Sequence, residues 1–285
     1  GPVCRAMTAG DRSGITPELR AAYSRSGLSH LLAVSGLHTG IVFALVNLLL
    51  WWLPLLRRGH LLRNLLAAAC IWIYVAAAGF PPSAVRAAVM FTMLQSALAS
   101  ASEYNGLNAL AAAAFGMLLW NPAWLGDISF QLSFAAVAAI LAWGVPLCRR
   151  LRTRRRALNP ITDALAVSLA ATLATAPLVS HTFGIVPLAG VVVNPAAILL
   201  GSVIVLAGAL WILLPFGWAA PAFECVLSHT AEGLNALARV TADLSCAAAE
   251  YALGGGATTA VYLFFALATA AAWSVEPKKS VHLPA

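Results

Sequence analysis

Long apolar runs follow one another along this chain, separated by short polar breaks. They cover roughly residues 28–53, 61–79, 83–101, 106–120, 128–147, 162–180, 195–214 and 257–273. Most approach the ~20 residues that an α-helix needs to cross a bilayer. The 106–120 run is short for that and fits a tilted or partly lipid-exposed helix. The runs are continuous and lack the period-two alternation of an outer-membrane strand. The pattern predicts an all-α polytopic integral membrane protein with about eight or nine transmembrane or interfacial helices.

Two segments depart from this pattern. Thr16-Pro17-Glu18 reads as an N-cap, an N1 proline and an early acid, predicting a short helix over about 17–25 on the membrane surface. Residues 1–26 then form an N-terminal flank, 27–275 the transmembrane domain and 276–285 a polar tail. Within 221–250, Glu224, Ser228, Glu232, Asn235, Arg239 and Asp243 recur every three or four residues. At about 100° per residue they fall on one helical stripe. This amphipathic helix either lies in the interface or crosses with its polar stripe toward a wet cavity.

Composition sharpens the class. The chain of 285 residues is 61% hydrophobic and 9% charged, with mean hydropathy +0.86. Soluble domains carry about 25% charged residues, so much of this surface must be solvated by lipid. The net charge of +7 is concentrated in Arg57, Arg58 and Arg63, in Arg149, Arg150, Arg152, Arg154, Arg155 and Arg156, and in Lys278 and Lys279. Basic residues that punctuate apolar runs are topogenic and predict cytoplasmic loops at 57–63 and 149–156. Residues 1–26, 79–83 and 121–127 then face outward. The five cysteines are scattered without a CxxC pair, which predicts neither zinc site nor disulfide framework, and no cofactor is expected.

The stretch "HLLAVSGLHTG" (30–40) puts polar groups at the start of the first apolar run. His30 and His38 are eight apart, about 80° around a helix, with Ser35 one turn before His38. A metal pair would favour the i,i+4 spacing of HExxH, which is absent. Both rings are expected inside the bundle, because an unpartnered polar ring in hydrocarbon costs on the order of 2–7 kcal/mol. "AVSG" approaches the GxSG loop of rhomboid-type intramembrane proteases, with Ser35 as nucleophile and His181 as a base. Ala33 replaces the first glycine of that loop. An intramembrane serine hydrolase is therefore one alternative, and a small-solute permease another.

Residues 10–40, "GDRSGITPELRAAYSRSGLSHLLAVSGLHTG", resemble the ComEC competence family. The resemblance continues in order through "AGFPPSAVRAAVMF" (78–91), "NPAWLGDISFQLSFAAVAAIL" (121–141) and "ALAVSLAATLATAPLVSHTFGIVPLAGVVVNPAAI" (164–198). It covers about residues 10 to 215 well and the rest loosely. Ile128-Ser129 stand where Pro-Gly is common in the family, and Thr39 where an aliphatic residue is usual. The resemblance implies an inner-membrane channel passing single-stranded DNA into the cytoplasm during natural transformation. Many family members add a metallo-β-lactamase-like domain thought to be a nuclease. No HxHxDH-type ligand set occurs in these residues, so no enzymatic activity is expected of them.

The chemistry of such a channel is constrained independently. A polyanionic strand needs water, positive potential and weak multiple contacts that release it again. Trp120, Trp124 and Phe130 are candidate stacking faces for bases, although tryptophan also anchors helices at the interface. No GxxxxGK[ST] occurs, so energy must come from a partner or a gradient. The expected partners are the strand itself, the bilayer, an outside DNA receptor, a cytoplasmic ATP-driven motor and a second copy of the chain. Asp127 and Asn194-Pro195 read as helix starts and Gln131 as interfacial, each also a candidate for the path, as are Glu232, Asn235 and Arg239.

Arg86 is the strongest candidate. In "PPSAVRAAV" it lies in the first turns of a predicted helix, where a cation meets the positive end of the dipole at about 0.3–1 kcal/mol. It lies on the outward side, against the arginine bias, and placement in the apolar zone adds up to about 2.5–3.5 kcal/mol. A residue opposed on three counts is either a snorkelling or structurally paired arginine or a phosphate contact at the outer mouth of the path, for which the guanidinium fork is suited. The family resemblance adds that "SAVRAA" matches its arginine-bearing segment.

Overall fold

In a computed structural model, residues 1–11, 13–53, 59–99, 103–213 and 217–275 are described. Arg57, Arg58, Lys278, Lys279 and the 276–285 tail lie outside them. The described chain is a helical bundle. Its helices are α1 (Pro2–Ala9), α2 (Pro17–Arg25), α3 (Gly36–Leu49), α4 (Gly59–Ala77), α5 (Pro82–Ala99), α6 (Gly106–Trp120), α7 (Ile128–Ala139), α8 (Val145–Leu151), α9 (Asn159–Phe183), α10 (Gly190–Leu213), α11 (Ala220–Ala242) and α12 (Gly255–Val275). Three stretches are long and apolar enough to cross a membrane: Ile128–Leu151, Arg156–Phe183 and Gly190–Ile212. Shorter apolar helices occupy Gly36–Leu49, Leu61–Ala77, Gly106–Trp120 and Gly255–Ala271. Their outward faces are greasy, with Ile212 77% and Leu119 74% exposed. In water this surface would aggregate; against acyl chains it is solvated.

Local chemistry accounts for many of the helix starts. The side chains of Thr16, Asn105 and Asp127 accept hydrogen bonds from the first free amides of α2, α6 and α7, as side-chain N-caps do. Between α7 and α8 the chain does not break but takes one π turn, Ile140–Gly144. Pro146, just beyond it, has no N–H to give the ladder, and a π turn absorbs that defect without ending the rod.

The packing falls into two apolar clusters. One joins α4, α5, α6 and α7 through Ile71, Val75, Ala84, Val85, Ala88, Met117 and Phe130. Within it α3 and α5 run parallel: Ser83 donates to the Val34 carbonyl at one end (2.8 Å), and Gln95 to Asn47 at the other (2.9 Å). Phe43 and Phe91 stack between them, centroids 4.5 Å apart. The second cluster joins α1, α2, α10 and α11 through Met7, Leu19, Tyr23, Ile204, Leu227 and Leu234. Helix α9 links the halves, packing against the α7–α8 rod and α10. The rod comes close at Gly144, where an added Cβ would stand 3.4 Å from that of Ala170.

Two features differ from the sequence reading. The 1–26 flank carries, besides the expected 17–25 helix, a second helix, α1, and both pack into the second cluster. Val3, Ala6, Met7 and Tyr23 are buried, and α1 sits against Gly201 and Gly208 of α10, whose missing side chains make room for Met7 and Thr8. Helix α10 also begins at Gly190, one turn before the expected Asn194-Pro195 start, and carries Pro195 inside it. Tertiary contact overrides the proline signal. The Gly190 carbonyl accepts from Ser168 Oγ in mid-α9 (3.4 Å), and Asn194 Nδ2 donates to that hydroxyl (3.2 Å). Gly27, at φ +79°, lets its turn close on Gly190: a Cβ there would lie 3.1 Å from the Gly190 Cα.

Candidate functional site

Helix α5 is the axis of the site. Residues 84–88 are all buried, and Arg86 is 6% exposed. Its Nε donates to Ser133 Oγ on α7 at 2.9 Å, Nη1 reaches Met90 Sδ at 3.8 Å, and the guanidinium carbon lies 5.9 Å from the Phe134 centroid. Among the described residues no carboxylate forms an ion pair with it. A serine hydroxyl, a thioether and a ring face are weak partners. A cation–π contact contributes about 0.5–2 kcal/mol, whereas burying an ion costs several. Among the described residues, Arg86 is thus a buried cation without a carboxylate partner.

The start of α3 meets this charge. Ser35 is the N-cap: Ser35 Oγ accepts from the His38 amide at 3.5 Å, and the Ser35 amide donates to His38 Nδ1 at 3.2 Å. This is a capping box with histidine in place of the usual Glu or Gln. With Nδ1 accepting, the neutral ring carries its proton on Nε2, and that buried atom has no protein partner among the described residues. Gly36, the first residue of α3, stands against Arg86: a Cβ there would be 2.5 Å from Nη2. Tyr74 Oη on α4 and Gln95 Oε1 on α5 are further buried polar atoms without protein partners. A sealed apolar core rarely leaves such atoms on three adjacent helices. Buried water satisfies them in ordinary proteins.

The structure brings Ser35, His38 and Arg86 together and places the other candidates elsewhere. His30 is accessible at its surface, with Nδ1 3.2 Å from the Gly27 carbonyl. The run bends there through a 3₁₀ turn, Ser29–Leu32, so the 80° helical spacing does not hold. Asp127 caps α7 through the Phe130 amide (3.0 Å), and Gln131 donates to the Leu125 carbonyl (2.7 Å). Asn194 is bound to Ser168. Phe130 is buried and packed on Phe134, so it offers no face to a base, while Trp120 is 85% exposed. Ser133, Phe134 and Met90 were not singled out from sequence. All three lie within the stretches that carry the family resemblance, which is the signal that could have found them.

The polar stripe of α11 forms a second surface. Leu227, Ala231, Leu234 and Ala238 are buried, while Glu224, Glu232, Arg239 and Asp243 are exposed. Asn235 is half-buried and accepts from the Tyr23 hydroxyl at 3.0 Å. Helix α11 runs antiparallel to α10 along its whole length: Trp211 stacks on Phe223 at one end, and the Ala189 amide donates to the Ala247 carbonyl at the other. Single cysteines along 224–243, in a background freed of the native five, are expected to label with a 3.6-residue period peaking at 224, 232, 239 and 243. Uniform labelling would contradict a polar-facing stripe.

An all-α bundle with lipid-suited faces and, among the described residues, a buried cation without a carboxylate partner defines the class of protein. The sequence matches the Competence protein family over residues 7–276, and the chain belongs to that family. It is 31% identical to ComE operon protein 3 of Bacillus subtilis (strain 168) over 181 residues, which is 64% of this chain and 22% of that protein. It is 25% identical over 147 residues to YcaI of Escherichia coli (strain K12), a protein described as uncharacterized, covering 47% of this chain and 18% of the relative. The chain thus matches about a fifth of the length of each relative. No solved structure matches it.

Proposed function

We propose that this chain is the membrane core through which a single DNA strand enters the cytoplasm during natural transformation, seated as a multi-pass protein in the bacterial cytoplasmic membrane. The observation that carries this reading is the buried guanidinium of Arg86, without a carboxylate partner among the described residues. A site that holds a cation at a cost of several kcal/mol is tuned for an anion that comes and goes. A strand presents one phosphate per nucleotide, and the arginine fork binds each briefly. The unpartnered His38, Tyr74 and Gln95 atoms support a hydrated route beside α5, since lipid cannot solvate the strand. Membership of the Competence family supports the DNA-uptake role.

The conduit performs no bond chemistry in this reading. Ser35 Oγ acts as a helix cap, and the His38 nitrogen beside it accepts from the Ser35 backbone rather than from the hydroxyl. His181 Nδ1 is engaged 2.9 Å from the Leu253 carbonyl. In this reading the strand is delivered by an outside receptor and drawn in by a cytoplasmic ATP-driven motor.

The test is uptake of labelled DNA into nuclease-protected form by competent cells carrying this chain or its variants. Ser35→Ala is expected to keep most of the uptake, losing only a cap of about 1 kcal/mol. Covalent labelling of Ser35 by a serine-hydrolase probe, with uptake abolished by Ser35→Ala, would replace the channel by a hydrolase.

A further inference from the structure

The turn joining α8 to α9 carries six arginines within the eight positions 149–156. All six are exposed. The turn is held in shape by its own hydrogen bonds. The Thr153 amide donates to Asn159 Oδ1 at 3.0 Å, Thr153 Oγ1 to the Arg155 carbonyl at 3.2 Å, and Asn159 Nδ2 to the Thr153 carbonyl at 3.4 Å. No acidic residue occurs between Asp127 and Asp163, so the stretch itself supplies six positive charges and no negative one. Leu151, Leu158 and Ile161 are 45%, 43% and 58% exposed in and beside the same turn.

We infer that this turn is a docking surface for the phosphate headgroups of anionic phospholipids. The combination of arginines and exposed aliphatic side chains selects that partner. Aliphatic side chains sink below the headgroup plane while guanidinium groups stay at the level of the phosphates. A nucleic-acid strand would find the charge but nothing to stack on, since no aromatic residue occurs from 144 to 182. Each basic group near an anionic surface strengthens attachment measurably, and the effect is screened by salt.

The inference rests on the reading that the chain sits in a bilayer, and the experiment separates the two. The purified full chain is reconstituted in phosphatidylcholine vesicles with and without phosphatidylglycerol, and the lipid retained after detergent extraction is quantified by native mass spectrometry. The parent is expected to retain phosphatidylglycerol at least tenfold over phosphatidylcholine. A variant carrying Arg152→Gln, Arg154→Gln, Arg155→Gln and Arg156→Gln is expected to lose that preference while inserting normally. The parent measured at high salt gives the same comparison without substitution and is expected to lose most of the preference. Normal insertion with no phosphatidylglycerol preference in the parent overturns the docking surface alone. Failure to insert overturns the bilayer reading. Binding of a single-stranded oligonucleotide that falls with the four substitutions, while lipid retention does not, assigns the turn to nucleic acid and overturns the inference.

Discussion

Replacing Arg86 by methionine is expected to cut DNA uptake by roughly one to two orders of magnitude and to leave the chain as stable as the parent or more so. Methionine fills a similar volume without charge, and the guanidinium it removes is buried with no counter-ion among the described residues. Exchanging buried ionic groups for well-packed apolar ones is often neutral or stabilising by about 1–4 kcal/mol. The lost hydrogen bond to Ser133 offsets part of that gain, at about 1.5–3 kcal/mol for a charged donor. If Arg86 binds passing phosphates, the same exchange removes a charge-assisted contact and uptake falls by roughly one to two orders of magnitude. Arg86→Lys keeps the charge but not the fork and is expected to fall between. Thermal melting in detergent and nuclease-protected uptake, measured on the same preparations, decide it. Parental uptake by the methionine variant, with stability lost, would make Arg86 a structural residue.

Gly36→Ala should reproduce much of that defect without touching the arginine. The new methyl group would stand 2.5 Å from Nη2, too close for either to remain. The guanidinium is the movable partner, so it swings away from Ser133. Alanine is otherwise the better helix former by up to about 1 kcal/mol, and stability is expected to change little. The decisive measurement is the double variant. In an Arg86→Met background, Gly36→Ala has no guanidinium to displace and is expected to reduce uptake no further. Contacting residues show coupling of about 0.5–3 kcal/mol, and independent ones add. Additive losses would mean that Gly36 acts on something other than Arg86.

Most of the long helices were legible in the sequence, and largely for local reasons. A run of apolar residues near the length of a bilayer closes its own backbone hydrogen bonds wherever it is placed, and the Thr16 and Asp127 caps lie within three residues of the amides they satisfy. The α11 stripe was legible because its polar and apolar faces differ at a 3.6-residue period, and the ordered motifs were enough for the family. Arg86 stood out because every local preference opposed it.

The tertiary structure alone decided which of these groups meet. A helix that is apolar on every side carries no mark of which face meets protein and which meets lipid. Nothing local therefore foretold that Ser133 would turn toward Arg86, that Gly36 would make room for its guanidinium, or that α1 would fill the hollow beside Gly201 and Gly208. The early start of α10 has the same origin. Contacts between residues tens to hundreds of positions apart outweighed a proline signal, because burial against Ser168 and Gly27 acts on the whole turn while local preferences act on single residues.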